Sequence, residues 1–225
     1  MLFTIIIASQ GTRLKALNLA ISSILNAVDF ASEEFSAEQV EVLVGFDGIK
    51  GERVHSWNRV HYFDLPKDNN WGHGLRNILL KRAKGKRIIF LDDDNALTPN
   101  AFITYMKHQT AEMLIARIDV SRAFECDFLP LDIPGKSIVR QGNIDPLCLC
   151  LSRELVFVRC GGWTGQGGYQ ADYVNILQCY RRSRRTEVVH DVVGIYDAGL
   201  GLDSEGINFR QDKLLQAGIK SKPLI

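Results

Sequence analysis

The sequence has no apolar run that approaches the length of a membrane span. Its longest apolar stretch near the start covers residues 5–8, whereas a membrane helix needs about 18 apolar residues. The same stretch is too short for the core of a signal peptide and has no charged segment before it. We therefore expect a soluble protein of the cytoplasm.

An excess of either charge is also missing, because 27 Lys and Arg residues face 26 Asp and Glu residues. Such a balance offers no basic field for nucleic acid, so we predict no nucleic-acid partner. The five cysteines are an odd number in a chain of 225 residues, which is long enough to fold without disulfide bonds. Reduced thiols are the expectation.

Internal repeats and low-complexity linkers are absent too, and the pattern that is present predicts one α/β domain over residues 1–225. Strand-length apolar runs alternate with helical spacing in the first half of the chain, which is typical of helical crossovers in a parallel sheet. Residues 9–12 are expected to supply the turn and the cap of the first helix. Strands are predicted at residues 3–8, 40–46, 60–65, 88–94, 114–120, 147–151 and 188–196, helices at 14–25, 75–84, 101–110 and 172–182, and a polar, partly helical tail from Ser204.

The most informative stretch is residues 87–95, where a buried apolar strand runs into three adjacent aspartates. In an extended strand, Asp92 and Asp94 point to the same face, about 6.6 Å apart. Like charges this close repel one another unless a cation neutralises them. Hard oxygen ligands suit Mn²⁺ or Mg²⁺, which complete their shells with water and substrate phosphates. A metal site is the hypothesis, and a solvated acidic turn is the alternative.

Other polar groups also follow predicted strands. Ser9 and Asp47 each end a strand, and the polar loop 68–74 follows a third. Ligands of open α/β sheets bind at the carboxyl ends of the strands. These groups are therefore expected to meet a ligand together with the three aspartates.

Five motifs, in this order along the chain, resemble those of family 2 glycosyltransferases of the GT-A fold. Residues 42–48 stand where that family has a hydrophobic strand ending in Asp-Asp-Gly, and residues 70–77 resemble its glycine-rich loop followed by Arg-Asn. Residues 85–94 are close to its Gly-x-hydrophobic-Leu-Asp-x-Asp segment. Residues 161–163 and 171–173 are similar to its Gly-Gly-Phe and Glu-Asp-Tyr. The resemblance covers nearly the whole chain.

The resemblance implies a Rossmann-like nucleotide-binding half at residues 1–97, with a mixed, mostly parallel sheet, and a looser acceptor-side half at residues 98–225. It also implies a metal-dependent, inverting transfer of a sugar from a nucleoside-diphosphate sugar, with UDP as the expected nucleotide. The acceptor is a hydroxyl of a glycan or a lipid-linked molecule in polysaccharide or glycoconjugate biosynthesis.

Carried over to matching positions, the resemblance makes Asp172 the general base for the acceptor hydroxyl. Asp47 accepts from the nucleotide base, and Arg76 approaches base or phosphate. Asp92 and Asp94 hold the sugar nucleotide and the divalent metal on its diphosphate. The expected substrate contacts are completed by Ser9, Gly72, Asp93 and Trp163, and His190 is a further candidate metal ligand.

Several of these residues also have a structural interpretation. Asp172 could cap the helix that follows it, and Trp163 could be a core residue instead of a platform that stacks on the acceptor sugar. His190 and Asp145 are more easily structural than functional. Two positions depart from the family pattern: Phe46 replaces the first acid of Asp-Asp, and Ala171 replaces the Glu before Asp172.

One basic cluster stands out, formed by Arg181, Arg182, Arg184 and Arg185. A solvated helix end explains it simply, and peripheral docking at a membrane surface beside a lipid-linked acceptor is the sharper hypothesis.

Two alternatives of other classes stay open at this point. A sugar-phosphate nucleotidylyltransferase has a similar nucleotide-binding topology, and residues 11–14 are similar to its phosphate loop, although a glycine pair is missing before them. A non-catalytic nucleotide-sugar or glycan-binding protein of the same fold would explain the missing Glu at Ala171. A dehalogenase-like phosphatase would need Thr or Val where Ala96 stands.

Overall fold

The computed structural model describes residues 1–68, 70–166 and 168–203. The predicted tail from Ser204 onward lies outside these residues. The strands are β1 (Phe3–Ser9), β2 (Val40–Asp47), β3 (Val60–Leu65), β4 (Arg87–Phe90), β5 (Ala96–Leu97), β6 (Met113–Asp119), β7 (Phe128–Leu129), β8 (Leu149–Ser152) and β9 (Thr186–Ile195). The α-helices are α1 (Leu14–Phe30), α2 (His73–Arg82), α3 (Ala101–Lys107) and α4 (Ala171–Arg182), and a π-helix covers Glu154–Arg159.

The first four long strands build the parallel half of the sheet, in the order β3, β2, β1, β4. The β-branched and aromatic residues of β1 are buried on both faces, as expected for a central parallel strand. Helix α1 crosses over between β1 and β2 and buries Leu17, Ile21 and Ile24. The predicted strand–helix–strand crossover and parallel pairing are confirmed.

The second half of the chain extends the same sheet with mixed directions. Strand β8 is antiparallel to both β4 and β6, while β9 is parallel to β6. The short β5 returns antiparallel to β9, and β7 pairs with β6 inside the irregular connection. The predicted mixed α/β architecture is therefore confirmed, with helices packed on a single continuous sheet.

A buried hydrogen-bond network fixes the entry into β4. Thr4 Oγ1 donates to Glu41 Oε1 (2.6 Å), and the same carboxylate oxygen accepts from the Lys84 N–H (2.6 Å). The Gly85 N–H in turn donates to Thr4 Oγ1 (2.8 Å). This network satisfies the polar groups of three neighbouring segments where the chain turns into the sheet.

Two local expectations were wrong. Strand β4 ends at Phe90, and the Asn95 N–H donates to the Asp92 carbonyl at 3.1 Å, so residues 92–95 form a turn, here named the aspartate turn. Period-two alternation therefore does not extend over the three aspartates. Residues 9–12 do not cap α1 either: the Asp203 carboxylate accepts from the Lys15 and Ala16 N–H groups at 3.1 and 2.9 Å.

Within the described ranges, none of the helices has the length and hydropathy needed to cross a lipid bilayer.

Candidate active site

The aspartate turn lies at the carboxyl edge of the parallel half, beside the end of β1. The Leu91 N–H donates to the Ile6 carbonyl at 3.0 Å, which holds the turn against β1. On the other side, the Gly199 N–H donates to the Asp94 carbonyl at 2.8 Å, and the Asp197 N–H donates to Asn95 Oδ1 at 2.9 Å. Backbone from two distant segments thus fixes the turn.

Asp93 and Asp94 share one cation, Arg13. The two terminal nitrogens of Arg13 bind one carboxylate each, Nη2 to Asp93 and Nη1 to Asp94. Ser9 Oγ donates to the second oxygen of Asp93 at 2.5 Å and accepts from the Gly11 N–H at 3.0 Å. Asp93 is fully buried with a partner on each oxygen, so in this state it anchors Arg13 and Ser9.

Asp92 and Asp172 share a second cation, Arg76. Arg76 Nη1 donates to Asp172 Oδ1 at 2.8 Å, and Nη2 binds Asp92 Oδ1. Burial opposes the charge of Arg76, but the two acids more than offset it and raise its pKa. The guanidinium is only 5% exposed, whereas both carboxylates are 35% exposed. Two partly exposed acids therefore share one buried arginine. Asp172 does not cap α4.

Burial is the largest influence on the pKa of three acids, Asp93, Asp172 and Asp145. It raises the pKa of Asp93 to about 7 against the opposing charge of Arg13. It also raises the pKa of Asp172, with Arg76 opposing and Asp92 adding to the rise. Asp145 accepts from the Leu147 N–H at 2.9 Å, and burial together with the charge of Asp92 raises its pKa to about 8.

Trp163 is a core residue in this structure. Its side chain is 2% exposed, and its ring centroid lies 4.3 Å from that of Phe90. The indole N–H donates to Nδ1 of His73 at 3.2 Å, so the neutral His73 tautomer carries its proton on Nε2. Burial lowers the pKa of His73, whose Nδ1 is 3.7 Å from Asp172 Oδ1. The indole has no open face for an acceptor sugar, which corrects the platform hypothesis.

The loop after β3 closes over the end of β2. Asp47 Oδ1 accepts from the Asp68 N–H at 2.6 Å, and Asp68 Oδ2 accepts from the Gly74 N–H at 2.9 Å. Gly72 directly precedes α2 with φ of 77°, and a Cβ there would lie 3.0 Å from the Ala8 Cβ. The glycine is required both by its backbone angle and by the close approach of β1.

His190 does not join the aspartates. It is exposed on β9, and β9 runs antiparallel to β5 with Ile195 opposite Ala96. Thr98 Oγ1 donates to the Val192 carbonyl at 2.6 Å. Along β9, positions with lower numbers therefore lie progressively farther from the aspartate turn. Five positions from Ile195, His190 is roughly 16 Å along an extended strand. The candidate metal role of His190 is not supported by this placement.

Asp92 and Asp94 offer hard oxygen atoms but are each ion-paired with an arginine. In the part of the chain that the structure describes, no group of three or more His, Cys, Asp or Glu side chains is arranged to hold a metal ion. Mg²⁺ and Mn²⁺ take one or two carboxylates and fill their shells with phosphate oxygens and water. The donor set fits such a substrate-completed cation and does not fit an all-protein cage.

A polar cavity of about 480 Å³ is bordered by the loop before α2, by α2 itself and by the segment that precedes α4. The carboxamides of Asn70, Asn77 and Gln178 line it, together with residues 160–166, a segment that contains three glycines and Trp163. Asn77 follows Arg76 in α2, and its Oδ1 accepts from the Trp163 N–H at 3.2 Å. None of the acids of the aspartate turn lines the cavity.

Sequence reasoning missed two members of the cluster. Arg13 had a signal, because it follows Gly11-Thr12 at the end of β1, where ligands meet this class of sheet. His73 stood inside a quoted motif without a role. Neither its burial nor its neighbour Asp172 is visible in the sequence, since the two are 99 positions apart.

Comparison with known proteins gives a family and a fold. The model of the family described as "Glycosyl transferase family 2" matches residues 5–125, more than half of the chain. No curated protein matches the sequence.

Solved structures of S. aureus TarS are similar in fold. TarS 1–349 in complex with UDP is 14% identical with a TM-score of 0.71, and the match covers 87% of this chain and 60% of that one. TarS 1–349 in complex with UDP-GlcNAc is 13% identical with a TM-score of 0.63, covering 87% and 58%. A longer TarS structure is 14% identical with a TM-score of 0.70, and 36% of it is covered. The chain thus spans less than two thirds of each.

Proposed function

The chain belongs to glycosyl transferase family 2, and we propose that it transfers a sugar from a nucleoside-diphosphate sugar to an acceptor hydroxyl with inversion. One observation carries the proposal: Arg76 bridges Asp92 and Asp172. A carboxylate suited to proton abstraction thereby lies one guanidinium away from the acids at the sheet edge. A direct displacement needs a base for the acceptor hydroxyl and acids that hold the cation of the donor, and it needs no covalent intermediate.

Asp172 is the proposed general base. Its carboxylate is 35% exposed, so an acceptor hydroxyl can reach it. Burial raises its pKa, and a stronger base accepts a proton more readily from the attacking hydroxyl. Arg76 orients the carboxylate through the 2.8 Å hydrogen bond and limits that rise.

The donor is proposed to bind across the ends of β1, β2 and β4. Asp47 is the proposed acceptor for the nucleotide base, and Arg76 the proposed contact to base or phosphate. Ser9 and Gly72 border the same edge. The TarS structures in complex with UDP and UDP-GlcNAc have this fold, which supports UDP as the nucleotide.

Asp92 and Asp94 are the proposed ligands of Mn²⁺ or Mg²⁺. When bound, such a cation neutralises the diphosphate and makes it a better leaving group. Asp93 does not need to touch the ion, because both its oxygens already have partners in Ser9 and Arg13.

The acceptor is proposed to be a glycan or a lipid-linked molecule in polysaccharide or glycoconjugate biosynthesis, with the protein in the cytoplasm. Peripheral membrane contact remains a proposal for the exposed arginines at the end of α4 and the start of β9. Arg185 pairs with Glu187 at 2.9 Å, and Arg182 contacts the Arg159 carbonyl, so Arg181 and Arg184 are the members proposed to face a membrane.

The test is nucleotide binding followed by thermal unfolding. UDP with Mn²⁺ is expected to raise the midpoint temperature of unfolding by mass action. The increase is expected to be larger than that caused by UDP in EDTA, and larger than that caused by ADP or GDP with Mn²⁺. Asp92→Ala and Asp94→Ala are expected to lose the Mn²⁺-dependent part, whereas Glu187→Gln, which removes a carboxylate far from the aspartate turn, is expected to keep it. Equal UDP shifts with and without Mn²⁺ in all four proteins would contradict the metal role.

A further inference from the structure

Arg13 is placed to act on the cation-binding step, although none of the five glycosyltransferase motifs includes it. Its guanidinium spans Asp93 and Asp94 with one terminal nitrogen on each carboxylate. The side chain is 17% exposed, and the two carboxylates are 1% and 8% exposed. The positive group therefore lies on the solvent side of two buried acids, one of which is a proposed cation ligand.

The backbone around Arg13 is held from both directions. The Arg13 carbonyl accepts from the Leu17 N–H at 2.9 Å, which is the first turn of α1. The two N–H groups before that of Leu17, those of Lys15 and Ala16, donate to the Asp203 carboxylate. Before Arg13, the Gly11 N–H donates to Ser9 Oγ, which itself donates to Asp93. The position of Arg13 is thus built into the fold.

We propose that Arg13 is a resident counter-cation that competes with the divalent ion for Asp94, with Asp93 as its anchor. This inference rests on the proposed function, because it concerns the cation that the donor diphosphate completes. In the donor-free protein Arg13 neutralises Asp94. Donor and divalent ion together displace it from Asp94, while the bond to Asp93 keeps it beside the diphosphate.

The physical basis is charge at short range. An arginine does not lose its proton in a protein, so its charge is always present beside Asp94. A divalent ion on the same carboxylate would lie within a few ångströms of that charge, and two positive charges at that distance repel strongly in a partly buried site. Binding of the ion without phosphate is therefore weak, and phosphate gives Arg13 a second partner.

The experiment measures Mn²⁺ binding to the full chain, with and without UDP, from the electron paramagnetic resonance signal of free Mn²⁺. Arg13→Gln is expected to bind Mn²⁺ at least about tenfold more tightly than the original protein without UDP, because the competing charge is gone. The gain is expected to shrink when UDP is present. Arg13→Lys, which keeps one charge without the two-pronged contact, is expected to fall between the two.

Arg159→Gln is the matched control. Arg159 forms a bidentate ion pair with the single carboxylate of Glu112, distant from the aspartate turn. The two side chains are 21% and 23% exposed. Its loss is expected to leave Mn²⁺ binding unchanged.

A second variant addresses folding, because Arg13→Gln leaves two buried acids without their cation. The double variant Arg13→Gln with Asp93→Asn removes the anchor charge as well and keeps the Asp94 carboxylate. It is expected to unfold at a higher temperature than Arg13→Gln in EDTA, and to bind Mn²⁺ more tightly than the original protein.

Two outcomes are contrary and can be told apart. If the original protein binds Mn²⁺ with UDP, but neither Arg13 variant binds Mn²⁺ more tightly without UDP, the competition is wrong and the metal role stands. If no variant binds Mn²⁺ under either condition, both the competition and the metal dependence of the proposed function are wrong.

Discussion

At the scale of single residues, Asp172 allows the proposed proton transfer to be tested apart from donor binding, although both Asp172 and Asp92 contact Arg76. Asp172→Asn keeps the shape of the side chain and an oxygen for Arg76, but an amide cannot accept the proton of the acceptor hydroxyl. We expect transfer to fall by about 10²- to 10⁴-fold, while the UDP dissociation constant changes by less than about threefold, or under 0.7 kcal/mol.

The measurement pairs a transfer or donor-hydrolysis assay with calorimetric titration of UDP. Asp172→Glu serves as the companion variant, since it keeps a carboxylate and is expected to retain part of the rate. Unchanged transfer in Asp172→Asn would exclude it as the base.

Asp145 gives a prediction for pH. Burial raises its pKa to about 8 from 3.8, so the folded protein holds a proton that the unfolded chain releases. The stabilisation is fully present below about pH 4 and is lost as pH rises through about 8. Between pH 5 and 8 the original protein is expected to lose thermal stability relative to Asp145→Asn, by at least the about 2–4 °C that corresponds to 1 kcal/mol in a domain of this size.

The comparison is made in EDTA by thermal unfolding at closely spaced pH values. The difference between the two proteins isolates Asp145, because the other acids titrate in both. A difference that stays constant from pH 5 to 8 would assign the usual pKa to Asp145.

At this scale the sequence predicted residue types better than their surroundings. Asp92, Asp94, Asp172 and Arg76 were identified, and three of the four meet at one ion-pair network. The partner of Asp94 was not identified, because Arg13 is 81 positions away in sequence and local spacing carries no such information. Burial of Trp163 is likewise a tertiary property, set by Phe90 and His73.

At the scale of elements, the tight entry to β4 is open to test. A Cβ on Gly85 would lie 2.5 Å from the Thr4 nitrogen and 2.6 Å from the Phe3 carbonyl carbon, both backbone atoms that cannot move aside. Gly85→Ala is expected to lower the free energy of unfolding by about 1–3 kcal/mol through overpacking, measured by urea titration.

Gly135→Ala is the contrast. No atom lies within 4 Å of a Cβ there, but φ is +78°. Its cost is therefore that of left-handed backbone alone, about 1 kcal/mol. If Gly85→Ala were as stable as the original protein, the backbone of β1 would be able to move away from residue 85 at little cost, and the overpacking argument would be wrong.

The distant cap of α1 gives a second element-scale prediction. Asp203→Ala removes the acceptor for two N–H groups of the first turn and is expected to cost about 1 kcal/mol. Asp203→Asn keeps one acceptor oxygen and is expected to cost less. Urea titration of both variants measures the difference, and equal stabilities for the two would show that the carboxylate does not act as a cap.

Element types and most bounds followed from periodicity, and the errors have local causes. Strand β3 was predicted at its observed bounds, and β1 and β2 to within one residue. The strand before the aspartates was drawn too long, because apolar alternation gives no sign of where a ladder loses its partner. The cap of α1 was assigned to neighbouring residues, since a cap from position 203 leaves no trace near position 13.

At the scale of the whole molecule, one sheet joins both halves of the chain. Strand β8 pairs with β4, and β6 and β9 extend the same sheet. We propose a single domain and expect one cooperative unfolding transition, with calorimetric and van't Hoff enthalpies in agreement. Two separable transitions, with fragment 1–97 retaining its own structure, would divide the molecule at the position where the motifs change.

The overall architecture was predictable because alternating strands and helices admit few topologies. The order of the second half was not, since β8 inserts between β4 and β6 against the order of the chain. Such an insertion depends on which hydrophobic faces fit together, and composition and spacing do not encode that fit.

The cap that Asp203 supplies to α1 also bears on how the protein is made. The ribosome synthesises a chain from its N-terminal end, so helix α1 and Arg13 emerge long before Asp203, which caps α1. At about 5–20 residues per second, the roughly 190 intervening residues take on the order of 10–40 s. During that interval the nascent helix start is open to water or to a chaperone, and the site around Arg13 is completed only after residue 203 has been made.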